Sequence, residues 1–216
     1  RSDSHWYFDG GGNDTWLLRR ARPVVIEGTF FNDLDFLVVP EFGNGKATGG
    51  LATASAFTVL DAYLNYRVRP ELQIRLGKFK EPVGLEALQR ETTLMFMERS
   101  LVFDLMPGRD LGVMVHGNFE DGFLTYELGF FNGVADGTTT ANLDFDDQKD
   151  FAGRIFLRPF SLTSIEPLRG FGIGFGASIG SASGAGAIGT YSTESLVPFF
   201  TYTAGVVGTG EHFRWS

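Results

Sequence analysis

Apolar and polar residues alternate with a period of two through one stretch after another of this 216-residue chain. Successive side chains of a β-strand point to opposite faces, so each such stretch predicts a strand with one oily and one wet face. In FTVLDAYLNYR, residues 57–67, Leu60, Ala62, Leu64 and Tyr66 fall on one side and Asp61, Tyr63, Asn65 and Arg67 on the other. Past the corner at Arg69, Pro70 and Glu71, the run LQIRLGKFK sets Leu72, Ile74 and Leu76 against Gln73 and Arg75. The division recurs at 110–118 and, after an EDG turn, from Leu124 to Phe130. In FGIGFGASIG, Phe171, Ile173, Phe175, Ala177 and Ile179 alternate with glycine and serine, which leaves the wet face nearly bare. Helical signals are scarce, the best being a short helix around Glu86–Arg90 within residues 81–100.

The strands run to about ten residues, longer than the five or six usual in soluble proteins and enough to cross a bilayer at a tilt. No run of about 18 apolar residues exists, which excludes a membrane-spanning helix. Aromatic residues at 14%, among them 22 phenylalanines, and 29 glycines suit a transmembrane strand wall, and equally a large soluble β-protein. Connections alternate in length. Short ones fall at Asn32 and Asp33, at Arg69–Glu71, at Glu120–Gly122 and around Gly208–Glu211, with a medium one at 161–169. Long ones cover 43–56, 80–108, 134–149 and 181–196. Short turns at one rim and long loops at the other predict an all-β fold, an antiparallel transmembrane β-barrel of which residues 1–216 form part of one domain. A soluble sandwich or lipocalin-like barrel is the alternative that this pattern leaves open.

Charge and motifs remove several function classes. The formal net charge of -8 argues against a nucleic-acid binder, and the absence of cysteine removes thiol catalysis and thiolate metal sites. GAGAIG, residues 184–189, spells a dinucleotide fingerprint but is followed by TYSTESLVP, which Pro198 ends before a helix can form, so it reads as a loop. Asp144, Asp146, Asp147 and Asp150 in LDFDDQKD lack the glycine and terminal glutamate of a calcium loop and read as a solvated run. His5, His116 and His212 are dispersed, and no serine lies in a nucleophile setting, so no catalytic residue, metal site or cofactor is expected. The opening RSDSHWYFDGGG lacks the layout of a secretory signal and has no initiator methionine, so the chain is expected to begin after a missing segment. What stands out is positive charge near strand ends and long connections: Arg19, Arg20, Arg22, Lys78, Lys80, Arg90, Arg99 and Arg109. These cations read either as rim charges meeting lipid headgroups or as a lumen lining that passes anions.

Through LRRAR, EGTFFNDLDF, LDAYLNYR, IRLGKFKEPVGLEAL, MFMERS, PGRDLGVMVHG, DGFLTYELGFFNG and DFAGRIFLRPF, the chain resembles the phosphate-selective porin O/P family of bacterial outer membranes. The resemblance implies a homotrimeric barrel of about sixteen strands when complete, roughly half of them present here, set in outer-membrane lipid and lipopolysaccharide. It implies that residues 80–108 fold inward as a constriction loop. It also implies an anion path over Arg19 and Arg20, Lys78 and Lys80 where the chain enters that loop, and Arg99 where it returns. Asp61 would sit across the pore, and Thr92 and Thr93 would stand where the family supplies loop hydroxyls, with Glu91 beside them. Strict alternation sends Arg19 to the face of Glu27 and Thr29 but Arg20 and Arg22 to that of Val24 and Ile26, unless a bulge intervenes. The expected function is passive diffusion of small anions such as phosphate through an arginine- and lysine-lined constriction. The alternative is an outer-membrane barrel with a structural or docking role and an incidental, weakly selective pore.

Overall fold

The computed structural model describes residues 2–7, 15–43, 47–48, 51–52, 58–90, 93–96, 99–133, 148–187, 190–193 and 198–216. Among these the strands are β1 (Ser2–Tyr7), β2 (Thr15–Ala21), β3 (Ile26–Phe30), β4 (Leu34–Glu41), β5 (Ala47–Thr48), β6 (Leu51–Ala52), β7 (Thr58–Arg69) and β8 (Leu72–Lys80). They continue with β9 (Arg109–Phe119), β10 (Leu124–Phe131), β11 (Asp150–Leu157), β12 (Ile173–Ala187), β13 (Thr190–Ser192), β14 (Pro198–Thr201) and β15 (Val207–Trp215). Nine of them form one sheet in the order β15, β12, β11, β10, β9, β8, β7, β4, β3, with every neighbouring pair antiparallel. The pairs β1 with β2, β5 with β6 and β13 with β14 are separate two-stranded sheets. α-Helix is confined to α1 (Leu85–Leu88) and α2 (Glu166–Arg169) among the described residues, and neither could cross a membrane.

Register carries the two faces across eight of the nine strands, from β4 to β15. One row of directly opposed residues runs Phe36, Leu64, Leu76, Val113, Phe130, Phe151, Ile179, Phe213. These are large apolar side chains, and all but the half-buried Phe36 stay exposed, Leu76 at 60% and Phe213 at 63%. One residue along, the opposite face reads Asp35, Asn65, Arg75, Met114, Gly129, Ala152, Ser178, Arg214. A one-residue step changes the face completely because the strand period is two.

Adjacent strands are joined by short turns at one rim, over residues 31–33, Pro70–Glu71 and 120–123, and by long connections at the other. Two sequence-based boundaries are corrected. The segment around Gly208–Glu211 is no turn; it lies inside β15, where its backbone is held by a ladder to Ser181–Ser183 of β12 despite its turn-like glycines. β12 likewise continues to Ala187, so strand occupies much of the region expected as a long loop from 181. The edges of the sheet are β3 and β15, which do not pair with each other.

The bare wet face of β12 has a physical reason. A Cβ on Gly176 would lie 3.1 Å from the Pro82 carbonyl oxygen, and one on Gly180 would meet the Asp150 carboxylate. Farther along the same face the Phe131 ring lies over Gly112 and Gly129, where a Cβ would come within 2.5 and 2.4 Å of it. The glycines make room for what packs onto the sheet. The buried core, Phe79, Val83, Met114, Phe131 and Ala152 with Tyr63 and Met106 against it, therefore sits between the inner face and residues 82–106.

Candidate functional site

The connection after β8 folds onto the inner face rather than away from it. The Glu81 N–H donates to the Gly108 carbonyl at 3.2 Å and closes its base. Pro82 and Val83 then press on β12, with Val83 wholly buried. Gly84 adopts φ +79°, a left-handed value that glycine takes without a Cβ clash, and its N–H donates to Ser216 Oγ at 3.1 Å. α1 follows, close to the predicted position. Lys80 Nζ donates to the Ala87 carbonyl, and Arg99 donates to the carbonyls of Glu86 and Gln89 while stacking 4.7 Å over the Phe103 ring. Glu86 accepts from the Ser100 N–H at 3.0 Å and from its hydroxyl, tying the outgoing and returning arms together. Glu86→Ala should loosen that tie by about 1–2 kcal/mol and speed limited proteolysis within residues 81–108 by about tenfold. A cleavage rate equal to wild type would show that the clamp does not hold the segment.

At the base of this segment charges converge. Arg109 Nε donates to Asp61 Oδ1 at 2.8 Å, with both side chains mostly buried. Lys80 stands opposite Arg109 across β8 and β9, and Lys78 is buried with Arg109, Asp61 and Asp110 as its charged neighbours. Asp110 is committed to backbone, accepting from the N–H groups of Leu111 at 2.7 Å and Gly133 at 2.6 Å. Of the residues expected on an anion path, Asp61, Lys78 and Lys80 are thus brought together, and Arg109 joins them, although register sets Lys78 opposite Ala62 and Leu111, on the row side of Leu64 and Leu76.

The others lie elsewhere. Asp3 pairs with Arg20 and Ser4 with Leu18, so Arg19 is the extra residue of a β-bulge, the condition under which strict alternation fails. Arg20 is buried. Glu41, at the end of β4, accepts from Arg22 Nε at 2.6 Å and from the N–H groups of Ala21 and Gly43, which fastens the end of β2 to the large sheet. The side chain of Arg19, and Glu91 and Thr92, lie outside the described residues. Thr93 is exposed and donates its hydroxyl to the Arg90 carbonyl at 2.8 Å. Arg99 spends its N–H groups on loop carbonyls. Asp144, Asp146 and Asp147 of the acidic run also lie outside the described residues, and Gly184–Ala187 of GAGAIG belong to a strand. No group of three or more His, Asp or Glu among the described residues is placed to hold a metal ion.

The wall beyond the segment is lined by ion pairs that single-strand reading missed: Arg67 with Asp35 at 3.0 Å, Arg154 with Glu127 at 3.3 Å, and Asp150 with His212 at 3.1 Å and Arg214 at 3.7 Å. Arg75 stands on the same wall. Alternation already placed it on the wet face beside Asn65.

An antiparallel sheet with one continuous exposed apolar face, and an opposite face carrying charges and a folded-in segment, defines the wall of a β-barrel channel. The chain belongs to the phosphate-selective porin O and P family, whose profile matches residues 7–155, more than half of its length. That is a family of transport channels, not of enzymes. No curated protein matches the chain.

Proposed function

We propose that this protein is a bacterial outer-membrane porin that passes small anions such as phosphate by passive diffusion, through a constriction formed where residues 80–108 cross the inner face. The observation that carries this reading is the convergence of Lys78, Lys80 and Arg109 at the base of that segment, where Asp61 pairs with Arg109 and Asp110 accepts from backbone N–H groups. A cation about 4 Å from an anion is worth roughly 4 kcal/mol at an effective dielectric near 20, before desolvation is subtracted. Several moderate sites in series replace an anion's hydration without trapping it. In the same reading Arg19 and Arg20 extend the path, while Thr92 and Thr93 offer loop hydroxyls and Arg99 holds the returning arm in place. The exposed apolar row meets lipid, lipopolysaccharide surrounds the long-connection rim, and three copies assemble.

The test is the reversal potential of the full-length protein in a planar bilayer under a potassium chloride gradient. Changing Arg19, Arg20 and Lys78 together to alanine is expected to lower the anion-to-cation permeability ratio about fivefold or more. An unchanged reversal potential would overturn the assignment.

A further inference from the structure

We propose that Arg75 is a fixed oxyanion-binding step on the channel wall and that it sets a preference for oxyanions over halide. The inference rests on the pore reading above, and it concerns a residue outside the charge cluster at the loop base. Arg75 lies on the inner face of β8, between Asn65 and Met114 on the flanking strands. It stands on the short-turn side of Phe79, which belongs to the buried cluster under the folded-in segment. Its guanidinium carbon is 4.5 Å from the Tyr63 ring centroid and 5.5 Å from that of Phe79. The two rings meet at 83° with centroids 6.1 Å apart, forming an angled recess that fixes the guanidinium plane.

The charge in that recess is left available. Arg67, Arg109, Arg154 and Arg214 each face a carboxylate. Arg75 has no carboxylate and no hydrogen-bond partner among the described residues; its Nε is buried, and Nη1 and Nη2 form the accessible edge. The polar neighbours that could occupy it are spent on one another: Asn65 Nδ2 donates to Gln73 Oε1 at 2.9 Å, and Asn65 Oδ1 meets His116 Nε2 at 2.7 Å. Two parallel N–H donors in a fixed plane match two oxygens of a phosphate or a carboxylate, a geometry that chloride cannot use. Lysine at this position would keep the charge and lose the fork.

Phosphate and acetate are the probes, titrated calorimetrically into the solubilised full-length protein in chloride buffer. Wild type, R75K and R75Q are compared, and the same changes are made in the background lacking the Arg19, Arg20 and Lys78 cations. The expected result is one oxyanion site weakened about tenfold or more in R75K and absent in R75Q, in both backgrounds. In bilayers R75K should change the anion-to-cation permeability ratio by less than about twofold, since the charge remains. If R75Q fails to fold, R75K decides. Oxyanion binding in R75K equal to wild type, or no phosphate or acetate binding by wild type, would overturn the inference. Cation selectivity of the wild-type channel would instead overturn the pore reading; binding is measured without conduction, so the two failures are distinct.

Discussion

Leucine at position 176 is expected to push the folded-in segment off the inner face and to raise single-channel conductance about twofold or more, because in the proposed pore that segment narrows the lumen. The Cβ alone would stand 3.1 Å from the Pro82 carbonyl oxygen, 3.2 Å from Ser216 Oγ and 3.6 Å from Val83 Cα, and the rest of the side chain has nowhere to go. Overpacking of this kind costs about 1–3 kcal/mol, which matches the roughly 1.5–3 kcal/mol gained by burying Val83. The segment yields rather than the strand, since β12 is held by hydrogen-bond ladders to both β11 and β15. Gly170→Leu is the control: nothing lies within 4 Å of a Cβ there, and its φ of -79° suits any residue. Conductance unchanged in Gly176→Leu would mean that Pro82 and Val83 do not restrict the lumen.

The same contact shows what the sequence could and could not disclose. Which residues share a face was legible, because the period of two is a property of the extended backbone; Leu64, Leu76 and Val113 lie together as alternation requires. The short helix near Glu86 and the exceptional length of the 80–108 connection were legible too. The glycines of β12 were visible as a bare face, but what fills that face comes from a segment about 90 residues earlier. No local pattern encodes such a contact. The charge of Arg99 is local information and was legible, whereas its carbonyl partners depend on how the loop closes. The isolation of Arg75 is a property of cross-strand register, in which Asn65, Gln73 and His116 satisfy one another. Glycines at 208 and 210 suggested a turn because conformational freedom permits one, and the ladder to β12 overrode it.

Neutralising Asp61 is expected to raise anion selectivity, and removing its partner Arg109 to lower it. In wild type the 2.8 Å pair cancels much of the charge that Arg109 would otherwise offer a passing anion. Asp61→Asn keeps a neutral acceptor for the Arg109 N–H while deleting the negative charge, so the loop base gains one net positive charge. A carboxylate about 4 Å from an anion repels it by roughly 4 kcal/mol at an effective dielectric near 20. Water and salt in the lumen reduce this to about 1 kcal/mol, or roughly fivefold in the anion-to-cation permeability ratio. Phosphate should also dwell longer, because the carboxylate that hastens its release is gone. Arg109→Ala reverses the sign: it leaves Asp61 with only the neighbouring lysines to offset it, and permeability should shift toward cations by a similar factor. Reversal potentials in a potassium chloride gradient read both variants on one scale. Shifts of the same sign would mean that the two side chains serve only to hold the strand ends together; opposite shifts place their charges in the field of the permeating ion.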